Sequence, residues 1–232
     1  IIPDNDALIC GEDVVSWKDY DLTSSKIATA LSEAGLSANS KAGLYLNNSN
    51  EYLVCQNAIF KIGGVPINVN YRYVEEELIY LLDNSDSEAV FYHACYGDRI
   101  NKISKSLPNV KAWIEISDGT ESKFEGCLKY DDLINDCQPM ERIHRDPNTI
   151  YMLYTGGTTG MPKGVTHASA GYLVYTKYTS KYQFGMNRNS VVLTASDAGW
   201  MNGHTYALFG PLSFGATTIL IEKPMLLIDH TF

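Results

Sequence analysis

Ile150-Tyr151-Met152-Leu153-Tyr154-Thr155-Gly156-Gly157-Thr158-Thr159-Gly160-Met161-Pro162-Lys163-Gly164-Val165 is the stretch on which the fold turns. An apolar run enters a bend rich in glycine and threonine, and a second short apolar step begins at Val165. Glycine tolerates positive φ and keeps Cβ atoms out of the way of a ligand. Successive backbone N–H groups in such a bend form a concave anion site, and the hydroxyls of Thr155, Thr158 and Thr159 add donors. Lys163 supplies a mobile point charge, and Pro162 stiffens the chain just before it. The residues suit the tail of a triphosphate. They do not match the Walker A spacing or the Gly-x-Gly-x-x-Gly dinucleotide fingerprint.

Outward from this stretch, short apolar strands alternate with helices. Tyr20, Ser24, Ile27, Ala28 and Leu31 share one helical face that Gly35 ends. Strands are predicted at Gly43–Leu46, Val65–Val69, Ala89–Tyr92, Val110–Ile116, Thr149–Tyr154, Val191–Ala195 and Ala216–Ile221. Helices are predicted across Tyr52–Ile62, Glu75–Leu82, Ala168–Tyr182 and Thr205–Phe214, and the acidic start Glu75-Glu76-Glu77 suits a helix N-terminus. Tyr172, Tyr175, Tyr178 and Tyr182 read as one packing face, and His167 as a cap for the helix that follows it. The alternation predicts an α/β fold of mostly parallel sheet flanked by helices. The irregular segment Ser117–Asn148 divides it into a first α/β unit, 1–148, and a second, 149–232, that carries the bend.

The 232 residues are 45% hydrophobic and 19% charged, a globular rather than a disordered composition. A net charge of −9, with no basic run, argues against a nucleic-acid surface. Five cysteines, widely spread and without a Cys-x-x-Cys pair, argue against a disulfide framework or zinc site and for a reducing, cytoplasmic compartment. No apolar run approaches the roughly 18 residues of a membrane span. The chain opens at Ile1 without Met and closes on the apolar Pro224–Phe232, and both ends read as those of a fragment.

Thr155 to Gly164 resembles the phosphate loop of the adenylate-forming enzymes, a family of acyl-CoA synthetases, luciferases and peptide-synthetase adenylation modules. Their pattern reads Thr-Ser-Gly-Ser/Thr-Thr-Gly-x-Pro-Lys-Gly. Here Gly156 stands where Ser is usual, which removes one hydroxyl and leaves the backbone donors. A second block, Asp197-Ala198-Gly199-Trp200-Met201-Asn202-Gly203-His204-Thr205-Tyr206, resembles acetyl- and propionyl-CoA synthetases. A third, Lys61 to Tyr73 followed by Glu77 to Ser85, is similar to the early helix-to-strand step of acyl-CoA synthetases. The blocks follow the family's order along nearly the whole chain.

The resemblance implies the incomplete N-terminal domain of such an enzyme, an acid–thiol ligase that forms AMP. ATP and coenzyme A are then its co-substrates and a small carboxylic acid its substrate. Mg²⁺ is implied as a companion of the nucleotide, with no ligand assigned. Thr155, Gly156, Gly157, Thr158, Thr159, Gly160 and Lys163 would bind the phosphates, and Lys163 and Thr155 would serve the chemistry. Trp200, Met201, Asn202 and His204 would line the acyl site, the tryptophan capping a short chain. The same resemblance implies a missing C-terminal half, without which turnover is not expected. Two rival readings are an amino-acid adenylation or luciferase-like member and a truncated, noncatalytic nucleotide-binding protein.

Overall fold

The computed structural model describes residues 2–144, 146, 148–155 and 161–222, and of Thr155 the backbone alone. In chain order the elements are β1 (Asp6–Cys10), β2 (Asp13–Ser16), α1 (Trp17–Glu33), β3 (Lys41–Tyr45), α2 (Asn50–Lys61), β4 (Val65–Asn68) and α3 (Glu75–Asn84). Next come β5 (Ser87–His93), α4 (Gly97–Ile103), β6 (Ala112–Ile116), β7 (Leu128–Lys129) and α5 (Tyr130–Asp136). The chain continues through β8 (Ile150–Thr155), β9 (Lys163–Ala168), α6 (Ser169–Phe184), β10 (Val191–Thr194) and β11 (Thr217–Leu220). Between β10 and β11 lies a helical run, Met201–Gly203, His204–Phe209 and Gly210–Leu212, whose middle part is π-helical.

The described residues form two compact units, one within 22–46 and 54–169, the other within 1–21, 47–53 and 170–232. In the first, seven strands form a sheet in the order β7-β6-β5-β3-β4-β8-β9. All neighbours run parallel except the hairpin β8–β9. β3, β5 and β6 are buried nearly throughout, as parallel strands covered on both faces must be. The core gathers Val65, Ile67, Leu78, Leu81, Leu82, Val90 and Ile100 from β4, α3, β5 and α4. α2 stops because Gly63 adopts φ +72°, a left-handed cap that returns the Gly64 N–H to the Ile59 carbonyl at 2.9 Å. That reversal launches β4 beside β3. At the start of α3, Glu77 reaches back to accept the Val74 N–H at 3.0 Å, so the acidic cluster is a helix start, as its sequence implied.

In the second unit four strands form a sheet in the order β10-β11-β1-β2. β10, β11 and β1 are parallel, and β2 closes the edge as a hairpin partner of β1. The carboxyl ends of three parallel strands therefore emerge on one side, the side where loops of open α/β sheets gather ligands.

Two expectations are corrected. Tyr175, Tyr178 and Tyr182 do not pack inward: they are 59 to 65% exposed, and the buried residues of α6 are Thr176, Thr179 and Ser180. The physical reason is close approach, since a Cβ at Gly210 would lie 2.4 Å from the Ser180 hydroxyl. At that close approach only small side chains fit, so Tyr175, Tyr178 and Tyr182 are turned out, while Tyr172, a turn earlier, packs on Phe209 and shares a hydrogen bond with Thr205 at 2.7 Å. His167, expected to cap α6, lies within β9 opposite Tyr151.

Candidate functional site

The phosphate-loop candidates are carried by the β8–β9 hairpin. Its register pairs Ile150 with Ala168 and ends with Thr155 opposite Lys163. The glycine-threonine stretch is thus strung between the two strand ends, and Gly156, Gly157, Thr158, Thr159 and Gly160 lie outside the described residues. Lys163 is exposed at the mouth of the hairpin, and Pro162 beside it is buried.

Side chains from the preceding elements fix the neck of this hairpin. β4 meets β8 at Ile67 and Met152. One step further on, the Asn68 side chain completes the ladder: its Oδ1 accepts the Tyr154 N–H at 3.1 Å and its Nδ2 donates to the Tyr154 carbonyl at 3.3 Å. From α3, Tyr80 donates its hydroxyl to the Pro162 carbonyl at 3.4 Å. Tyr154 in turn donates its hydroxyl to Asn84 Oδ1 at 2.9 Å. Both ends of the loop are therefore anchored to one rigid helix and one strand.

The acyl-site candidates belong to the other unit and follow β10. There the Asp197 side chain accepts the Gly199 N–H at 2.9 Å, and its carbonyl accepts the Trp200 N–H at 3.0 Å. A Cβ at Gly203 would sit 1.9 Å from the Asp197 carbonyl oxygen, so the start of the helical run packs directly on the turn. Trp200, at 54% exposure, and Met201, at 56%, stand outward, and Asn202 is exposed beside them. His204 is buried, at 2% exposure. Burial pushes its pKa down to about 3, against a hydrogen bond to the Gly199 backbone that pulls the other way. His204 is accordingly neutral, a packed support behind the exposed trio and not a cation for a carboxylate.

Sequence reasoning missed Asn48, the residue that ties this turn to the sheet. Its Oδ1 accepts the Ala198 N–H at 2.7 Å and its Nδ2 donates to the Ile221 carbonyl at 2.8 Å. It missed Asn68 as well. The available signal was position: polar residues a few positions after, or at the end of, the buried parallel strands β3 and β4. Among the described residues no group of three or more His, Cys, Asp or Glu could hold a metal ion.

Residues 2–232 match the AMP-binding enzyme family, and the chain belongs to it. It is 38% identical over 171 residues to a medium/long-chain-fatty-acid–CoA/3-oxocholest-4-en-26-oate–CoA ligase of Mycobacterium marinum, covering 71% of this chain and 31% of that protein. It is 29% identical to the acetyl-coenzyme A synthetase of Alkalilimnicola ehrlichii over 90% of this chain and 34% of that protein. The fold is that of an anthranilate CoA ligase solved with anthranoyl-AMP, at a TM-score of 0.88 and 22% identity, over 95% of this chain and 42% of that one. The chain thus spans less than half the length of the proteins it matches.

Proposed function

We propose that this chain is part of an AMP-forming acyl-CoA synthetase, the part that grips the nucleotide phosphates and shapes the acyl site. In the proposed reaction a carboxylate oxygen attacks the α-phosphorus of ATP and the bond to the pyrophosphate oxygen breaks. The sulfur of coenzyme A then attacks the acyl carbon, and AMP leaves. Such chemistry demands mostly positioned donors for the charge that develops on the departing pyrophosphate. The observation that carries this reading is the family match taken together with the Thr155–Lys163 register, which brings a fixed strand end and an exposed ammonium to opposite sides of one loop.

The test is Lys163→Ala in the full-length protein, read by pyrophosphate release. Removal of one such donor is expected to lower the adenylation rate by about 10²–10³. Adenylation at the wild-type rate would remove Lys163 from the mechanism. The proteins it matches are more than twice as long as the matched stretch, so the isolated chain is expected to hold nucleotide without completing turnover. Phosphate binding by the isolated chain would separate this reading from that of a protein without any nucleotide role.

We further propose a short acyl substrate, capped by Trp200 with Met201 and Asn202 beside it. The exposure of Trp200 supports this, because it is not spent on the core of its own unit. A second reading, a medium or long chain, is favoured by the activity for which the Mycobacterium marinum relative is named. Competition between propionate and dodecanoate decides between them, and a preference for dodecanoate overturns the tryptophan cap. We place the enzyme in the cytoplasm. All five cysteines are free, and among the described residues no helix is long and apolar enough to cross a membrane.

A further inference from the structure

Asn48 is nearly inaccessible, at 3% exposure, yet it lies in no strand or helix and touches no proposed substrate group. Both ends of its amide are in use. Oδ1 takes the buried Ala198 N–H at 2.7 Å, two residues before Trp200, and Nδ2 gives to the Ile221 carbonyl at 2.8 Å, just past β11. Its own carbonyl lies 3.9 Å from the Cys10 sulfur at the end of β1. The side chain therefore joins the carboxyl end of β11 to the turn that follows β10, and the backbone carbonyl of the same residue faces the end of β1. Its own position is set in turn: Ser49 accepts the Tyr52 N–H at 3.3 Å to begin α2, and Asn50 donates to the Asp13 carbonyl at 3.0 Å.

The turn is also braced from within. Asp197 holds Gly199 and Trp200, and Gly203 rests on the Asp197 carbonyl. These fix the shape of the turn but leave its placement over the sheet edge to contacts from outside. A neutral amide suits that task because it donates and accepts at once, in a buried place where either unmet group would be costly.

We infer that Asn48 is a positioning residue for acyl-chain selection: it sets where Trp200 stands over the carboxyl edge of the four-stranded sheet. The inference rests on the reading of Trp200 as part of the acyl site, and not on the length of the acyl chain.

The experiment compares Asn48→Ala and Asn48→Asp in the full-length protein. It records kcat and KM for a series of fatty acids, KM for ATP, and hydrogen exchange at the Ala198 amide. For Asn48→Ala the expected result is an acyl KM raised about tenfold, the equivalent of one buried hydrogen bond, with a flattened chain-length profile and an ATP KM within roughly twofold of wild type. Asn48→Asp keeps an acceptor for the Ala198 N–H but sets a second oxygen against the Ile221 carbonyl, so its profile is expected to be flattened less than that of the alanine variant. A parallel rise in both KM values, or a fall in kcat with the profile intact, overturns the inference and leaves Asn48 a purely structural residue. Should the alanine variant fail to fold, the aspartate variant and the wild-type exchange rate still decide. A wild-type chain-length profile in Asn48→Asp, or an Ala198 amide that exchanges as fast as exposed loop amides, overturns it. The readout is a change in the profile, so a wild-type preference for long chains would remove the short-chain cap and leave the Asn48 inference standing.

Discussion

His204 and Gly203 are adjacent residues under opposite constraints. His204 carries a titratable ring in a place that excludes water, and its pKa falls from 6.5 to about 3 through burial. The folded state thus holds the neutral form, while the unfolded chain takes up a proton below pH 6.5. The contribution is fully present above that value and is lost as the pH falls toward about 3. His204→Gln should remove it: the unfolding free energy of the variant should fall less steeply with acidification, by up to about 1.4 kcal/mol per pH unit. Denaturant titrations across that window check this, and identical slopes would refute a buried neutral imidazole. Gly203 allows no side chain, since a Cβ would meet the Asp197 carbonyl at 1.9 Å. Gly203→Ala is expected to cost about 1–3 kcal/mol of stability, the usual range for overpacking. It should also move the Trp200 turn, read as a change in tryptophan fluorescence. The glycine stood out in the sequence as part of a resemblance, but its reason is a contact six residues back that no spacing reveals.

At the scale of elements, the hairpin that presents the candidate phosphate loop depends on side chains as much as on its ladder. β4 meets β8 at Ile67 and Met152, and Asn68 continues the pairing by holding both backbone groups of Tyr154. Asn68→Ala would leave a buried N–H and carbonyl unmet, for an expected loss of about 1–3 kcal/mol. The Tyr154 amide should exchange faster and affinity for nucleotide should weaken. A melting temperature and an exchange rate equal to wild type would refute the role. Much of this was legible beforehand. Buried parallel strands read as continuous apolar runs, and Gly63-Gly64 marked the reversal into β4. β9 was not legible as a strand, because Lys163–Ala168 is largely exposed and Val165 is its one large apolar residue, so that only pairing with β8 makes it one. α6 was predicted as a helix, but of its four tyrosines only Tyr172 packs inward. Tyrosine spacing suggested burial, whereas the close contact at Gly210 and Ser180 selected the threonine and serine face. The candidate site divided in the same way. Its motif residues could be read from the sequence, but the asparagines that hold them could not, since their partners lie 86 to 173 positions away.

For the molecule as a whole, two opposing forces govern how the 232-residue chain behaves in solution. A net charge of −9 keeps copies apart. Against it stand β10, the outer strand of its sheet among the described residues, where Val191 and Leu193 are 62% and 61% exposed, and α6, where Val174 is 69% exposed. An open edge strand with apolar side chains is a template for pairing with another chain. Which force wins depends on range. Repulsion between whole molecules is screened beyond about 10 Å at 0.1 M salt, while edge pairing and apolar contact act at touching distance. Self-association of the isolated chain should therefore grow with ionic strength rather than decline, as measured by light scattering in a salt series. Leu193→Lys places a charge on that edge and should lower the association at every salt concentration without changing the far-ultraviolet circular dichroism. Light scattering that falls as salt is added would mean that charge pairs, and not the β10 edge, hold the copies together.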